Sequence, residues 1–160
     1  MSQDDVPLDP TAADLVLYRL MLVSGFVGQI FTRRFTRHKL TLPEWRVLLE
    51  LHREGADSAA AISRRTGLTA MNVSRAVAAQ RVLGRIERAP DPADARRHLL
   101  TLTARGRALI ARVLPEGEAT ARALLAEVPP DRHAELAEMM AAMLEVARRR
   151  AQNPKGSPIG

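Results

Sequence analysis

The feature that most constrains this chain is a pair of short helical segments separated by a three-residue turn. Ser58 precedes residues 59–66, Thr69 precedes residues 70–83, and Gly67 and Leu68 stand between. A Ser or Thr just ahead of a helix accepts a hydrogen bond from its free amides, and a Gly just past the end takes the left-handed conformation that stops it. Two helices joined so tightly must cross, which predicts a helix-turn-helix. Ile62, Leu68, Val73, Ala76 and Val77 fall on the inward side, and small Ser63 stands where the helices approach. After Gly84 the period changes from helix to strand. Arg85-Ile86-Glu87-Arg88 alternates, residues 89–94 are rich in turn formers, and residues 98–102 make a second strand candidate. A hairpin with a long charged tip, placed after a helix-turn-helix, predicts a winged helix.

The flanks read as helices. Asp9-Pro10 can cap and open one that runs to about His38, and its stretch 15–31 is apolar nearly all round. A helix apolar on every side is buried on every side, so this one is expected to be covered by its own core and by a second subunit. Arg19 interrupts the run, which predicts that it is too short to cross a bilayer. Thr41 and Glu44 form a capping-box pattern that opens a helix at 42–54, with Trp45, Leu48, Leu49 and Leu51 as its apolar positions. Thr103 caps a long helix in which Leu109, Val113, Leu124, Leu125 and Val128 keep helical spacing and Pro115 predicts a kink. Pro129-Pro130 ends it. A last helix over 131–150 carries Leu136, Met140, Met143 and Ala147 on one stripe.

The expected fold is therefore mainly α with a small β-hairpin wing. Residues 1–10 are expected to be a flexible tail, 11–38 and 104–150 a helical dimerisation region, 40–103 the winged helix-turn-helix, and 151–160 a disordered tail. With 26 Ala, 21 Leu and only 3% aromatic residues, the core must be aliphatic. The absence of cysteine excludes a disulfide scaffold, a thiol nucleophile and a thiolate zinc site. The acidic, polar first residues do not read as a signal peptide, so a cytoplasmic protein is expected, without a membrane partner.

Charge points to the partner. The chain carries +6, and the positive excess lies in residues 15–107, where a polyanion would be met. Helix 70–83 presents Ala70, Met71, Asn72, Ser74 and Arg75 opposite its apolar side. Small residues let a backbone approach DNA, Asn can grip adenine and Arg can grip guanine. Ser58, Arg64 and Thr69 stand at the approaches to that helix; Arg64 and Arg65 can reach phosphate. On the wing, Asp94 stands two residues before Arg96 and can hold its guanidinium extended for a minor groove, with Arg88, Arg97 and His98 beside flanking phosphates. The plainer alternatives are a solvated helix face and a surface ion pair. No His–carboxylate pair, Gly-rich phosphate loop or Ser-His-Asp arrangement stands out, so no enzymatic activity, metal or cofactor is expected.

Three segments carry a family resemblance: Leu40-Thr41-Leu42-Pro43-Glu44-Trp45-Arg46-Val47-Leu48, then residues 62–69, then Asn72-Val73-Ser74-Arg75-Ala76-Val77. The wing adds Asp91-Pro92-Ala93-Asp94-Ala95-Arg96-Arg97, with Leu102-Thr103 and Gly106 after it. In these segments the chain resembles the MarR family, the multiple antibiotic resistance regulator type, and its flanking helices extend the resemblance over about residues 11–150. The resemblance implies a homodimeric repressor that binds a palindromic operator in double-stranded DNA and is released by a small, aromatic or anionic ligand. It also implies an effector pocket between dimer helices and winged core, for which Phe26, Trp45, Arg46 and His52 are the candidates, although Trp45 serves equally well as core. One departure is the polar Gln80, where the family usually has an apolar residue. This predicts a rotated or shortened helix end, so Gln80 and Arg81 are not taken as contacts. The alternative function is a winged-helix module that binds protein without sequence-specific DNA binding. Apolar or acidic residues on the outer side of helix 70–83 would favour it.

Overall fold

A computed structural model describes residues 11–153, without the side chains of Ala12, Ala95 and Arg96. Asp9 and Pro10, expected to open the first helix, and the tails at 1–10 and 154–160 lie outside the described residues. The chain divides between Leu42 and Pro43 into two compact units.

The first unit is built on helix α1, Ala12–Phe35. Its cap is Thr11, not Asp9: the Thr11 hydroxyl accepts from the Asp14 amide, and the Asp14 carboxylate accepts from the Thr11 amide. The Thr11 hydroxyl also donates to that carboxylate at 2.6 Å, and this bond, more than the one from the Thr11 amide, holds the Asp14 carboxyl below its usual range. A single 3₁₀ turn, Thr36–His38, follows, and Lys39 in the left-handed region ends it. The exposed surface of α1 includes Val16, Leu17, Tyr18, Met21, Val23 and Phe26. Arg19 does not shorten this run as expected. By length and composition Ala13–His38 is apolar enough to cross a membrane, because one charge in an 18-residue window leaves mean hydropathy at 1.6.

The second unit is the winged helix with two further helices. Helix α2, Leu42–Glu54, buries Trp45, Val47, Leu48 and Leu51, with Leu49 half-buried. Strand β1, Ala56–Asp57, follows Gly55, whose φ of 83° turns the chain. Helix α3, Ala59–Thr66, is capped by the Ser58 hydroxyl, which accepts from the Ala61 amide. Gly67, at φ 70°, ends it in the left-handed conformation. The Ser63 hydroxyl donates to the Leu68 carbonyl at 2.6 Å and so ties α3 to the turn. Helix α4, Ala70–Val82, is capped by Thr69, which accepts from the Asn72 amide.

Strands β2, Ile86–Asp91, and β3, Asp94–Leu102, pair antiparallel, and β1 adds to the far edge of β3 in the order β1-β3-β2. The wing is thus a three-stranded sheet; two residues are too short for β1 to announce itself by alternation. The long tip expected over 89–94 is only Pro92-Ala93. Pro90 extends β2 because β2 is an edge strand, where a missing N–H breaks no ladder. The register slips between Pro90 and Asp91, so residues 95–97 bulge from β3.

Helix α5, Ala104–Leu124, is capped by Thr103 and contains Pro115. It ends four residues earlier than its apolar spacing suggested, with Leu125 as its cap. A 3₁₀ turn, Pro130–Arg132, leads into helix α6, His133–Gln152. The stripe of α6 is covered less than expected: Leu136 and Met143 are half-buried, whereas Met140 and Ala147 are exposed.

Candidate nucleic-acid interface

The site is assembled from α4 and the wing. Helical spacing turns Val73, Ala76 and Gln80 inward, with Val77 half-buried beside them. Ala70, Met71, Asn72, Ser74 and Arg75 are therefore exposed together, as the sequence predicts. Thr69 is exposed at the cap, and Ser58 is half-buried with its hydroxyl used in capping α3.

The end of α4 is neither rotated nor shortened; this corrects the expectation drawn from Gln80. Gln80 faces the core with no exposed surface. Its Oε1 accepts from Nη1 of Arg85 at 3.0 Å, and its carbonyl accepts from the Arg85 amide at 2.9 Å. Since a guanidinium only donates, the amide oxygen must face Arg85, and Nε2 is left without an acceptor. Burial, and then Arg105, push the Arg85 guanidinium below its usual range, while Glu44 opposes the shift. The position is inward, as in the family pattern, and a polar pair replaces an apolar contact.

The same region shows why Leu102-Thr103 and Gly106 belong together. The Thr103 hydroxyl accepts from the Gly106 amide at 3.1 Å and donates to the Gly84 carbonyl at 2.7 Å. The Thr103 amide donates to the Arg85 carbonyl, and a Cβ on Gly106 would overlap that carbonyl. Arg107 closes the junction by donating to the Leu102 carbonyl. The end of α4, the root of the wing and the start of α5 are thereby joined by one backbone bond, the Thr103 hydroxyl and the Arg107 guanidinium.

Strand period decides which wing residues face α4. Ile86 pairs with Leu102, Arg88 with Leu100 and Pro90 with His98, and paired residues share a side of the sheet. Ile86, Leu100 and Leu102 are buried at its root, while Arg88 and His98 are exposed farther out. They line a cleft of about 370 Å³ whose other wall is Ser74, Val77 and Arg81 of α4. Sequence reasoning set Arg81 aside; the structure puts it beside Ser74, Arg88 and His98. On the opposite side of the sheet Glu87 accepts from Thr101 at 3.1 Å. Glu87 is thereby kept off the side that carries Arg88 and His98.

The remaining candidates divide. Arg64, Asp94 and Arg97 are exposed. The Arg96 side chain, and with it the expected Asp94–Arg96 pair, lies outside the described residues. Arg65, which the sequence offered to phosphate, instead turns inward and pairs with Glu50 of α2 and Asp57 of β1. Of the effector candidates, Trp45 is core. Arg46 is exposed, and His52 lines a cavity of about 510 Å³ with Glu87, Thr101 and Arg107. Phe26 is exposed on α1, in the other unit.

Comparison with known proteins agrees with this geometry. No curated protein sequence matches the chain. Residues 38–97 match the family model described as the MarR family. The Bordetella bronchiseptica regulator BpsR, whose DNA binding is regulated by 6-hydroxynicotinic acid, is 25% identical with a TM-score of 0.72, over 81% of this chain and 98% of that one. A MarR family transcriptional regulator from Silicibacter pomeroyi matches at a TM-score of 0.78 and 20% identity, over 93% of this chain and 98% of its own. Another from Streptomyces coelicolor, in complex with DNA, matches at 0.73 and 21% identity, over 89% and 92%. Motif, fold and family match converge: residues 38–97 match the MarR family model, and the winged helix-turn-helix fold of the chain is similar to that of solved transcriptional regulators of that family.

Proposed function

We propose that the chain is a cytoplasmic, dimeric repressor that reads a palindromic operator and is released by a small aromatic or anionic ligand. The observation that carries the DNA reading is the cleft between α4 and the wing, with Ser74 and Arg81 on one wall and Arg88 and His98 on the other. The exposed Asn72 and Arg75 of α4 supply base-reading chemistry beside it. The outer side of α4 carries no acidic residue, which favours DNA; it does expose Met71 and Val82, the apolar chemistry that a protein partner would use. Arg96 enters the minor groove in this reading, held by Asp94, and Ser58, Arg64, Thr69 and Arg97 meet phosphate. The apolar surface of α1 supports self-association, which a palindrome requires to place two reading helices about 34 Å apart.

For the ligand, Arg46 and His52 offer a cation and a hydrogen-bonding ring. The Bordetella relative, which answers to 6-hydroxynicotinic acid, supports a small aromatic acid.

The test is binding to duplexes from the gene's own upstream region across a range of salt. Affinity is expected to fall steeply as salt rises, because several phosphates are neutralised per half-site. Arg96→Ala is expected to weaken binding by about 1–3 kcal/mol, the loss for one good groove contact. Salt-insensitive binding, or none, would overturn the reading; unchanged affinity in the variant would remove the wing tip from it.

A further inference from the structure

Residue 65 is held at both ends. Its side chain pairs with Glu50 and Asp57, and its carbonyl accepts two bonds from Arg148 of α6, from Nε at 3.1 Å and Nη2 at 2.8 Å. The last four carbonyls of a helix have no partner within it, and Arg65 lies in the last turn of α3. The Ser63 carbonyl is used by the Gly67 amide. That of Arg65 is used by a guanidinium from a helix 83 residues away in sequence. A cation there also suits the negative end of the helix dipole.

Apolar packing does little to hold α6 at this place. A cavity of about 410 Å³ opens between the turn, at Gly67, Leu68 and Thr69, and the end of α6, at Leu144, Ala147 and Gln152. The guanidinium of Arg148 reaches across the same junction. What it holds is the piece of chain that aims α4, since only Gly67, Leu68 and Thr69 separate the end of α3 from Ala70.

We propose that Arg148 is a positioning residue for DNA reading: by capping α3 from α6 it pins the leading end of α4 to a helix outside the winged domain, without touching DNA. Movement of α6 would then be felt at Asn72 and Arg75 through one polar link. The inference rests on the DNA reading above, and two measurements separate their failures.

In the first, Arg148→Met and Arg149→Met full-length proteins are compared on a duplex that the wild-type chain selects from a random pool. Arg149 is a charge control, exposed and beside Glu145 at 3.9 Å. Arg148→Met is expected to lose about tenfold in affinity with the slope of log K against log salt unchanged, since no phosphate contact is removed. Arg149→Met is expected to bind as wild type. A slope reduced by about one would make Arg148 a phosphate contact and overturn the proposal. Equal losses in both variants would make the effect bulk charge and overturn it as well.

The second measurement needs no DNA. Amide hydrogen exchange in Arg148→Met is expected to speed up over residues 67–72 and to stay unchanged over 99–102. Unchanged exchange over 67–72 would overturn the positioning role even where DNA binding stands. A wild-type chain that selects no duplex would sink the DNA reading instead, leaving exchange to decide whether Arg148 holds the turn.

Discussion

Gly106 shows how much one missing side chain decides. A Cβ there would overlap the Arg85 carbonyl oxygen, which already accepts from the Thr103 amide, so neither backbone segment is free to give way. Gly106→Ala is expected to cost about 1–3 kcal/mol, the usual range for overpacking, read as a lower denaturant midpoint with unchanged slope. Wild-type stability in that variant would show that the junction can breathe. The sequence displays this glycine as part of a motif, but the carbonyl it must admit comes from 21 positions earlier and is invisible to local pattern. Gln80 teaches the same lesson with the opposite sign. A polar residue in a helix suggests the outside, yet its 3.6-residue spacing from Val73 and Ala76 sends it inward, where Arg85 accounts for its oxygen.

At the scale of elements, the helix-turn-helix is held by polar ties as well as by its apolar stripe. Arg65→Met would leave the Glu50 and Asp57 carboxylates, each with 13% of its side chain exposed, facing one another without their cation. The expected loss is about 1–3 kcal/mol, below that of a fully buried pair because a third of the Arg65 side chain stays in water. A urea melt checks it, and a loss confined to far below that range would make the pair a surface one. Helix α1 carries a pH signature of its own. Because the folded state depresses the Asp14 pKa, the cap's contribution is complete above the ordinary carboxylate range and disappears as pH falls through the depressed value. Faster amide exchange at the start of α1 in acid, absent in Asp14→Asn, checks this. Capping was largely legible in advance: Ser58, Thr69 and Thr103 all act as read, because a cap is a local hydrogen bond. Thr11 escaped notice because Asp9-Pro10 offered a stronger local pattern two residues earlier.

At the scale of the whole molecule, the apolar surface of α1 asks for cover. Met21 is 72% exposed. A second copy over that surface predicts a dimer in sedimentation, and Met21→Lys is expected to weaken association about tenfold or more, since an ammonium without a partner is costly to bury. Operator affinity should fall with it. Wild-type protein sedimenting as a monomer, or pelleting with membranes, would remove the dimer reading and leave α1 to another cover.

Sequence alone determined the order of the helices and of β2 and β3, the caps of α3, α4 and α5, and the exposed face of α4, because hydrogen bonds to near neighbours and helical period are local. It also carried the family resemblance, which the match over residues 38–97 bears out. Tertiary structure decided the rest: β1 as a third strand, Arg65 turned to Glu50 and Asp57, Gln80 paired with Arg85, and Arg148 on the end of α3. Each of these depends on which distant carbonyl or carboxylate packing brings within 3 Å or so, and no local period encodes that.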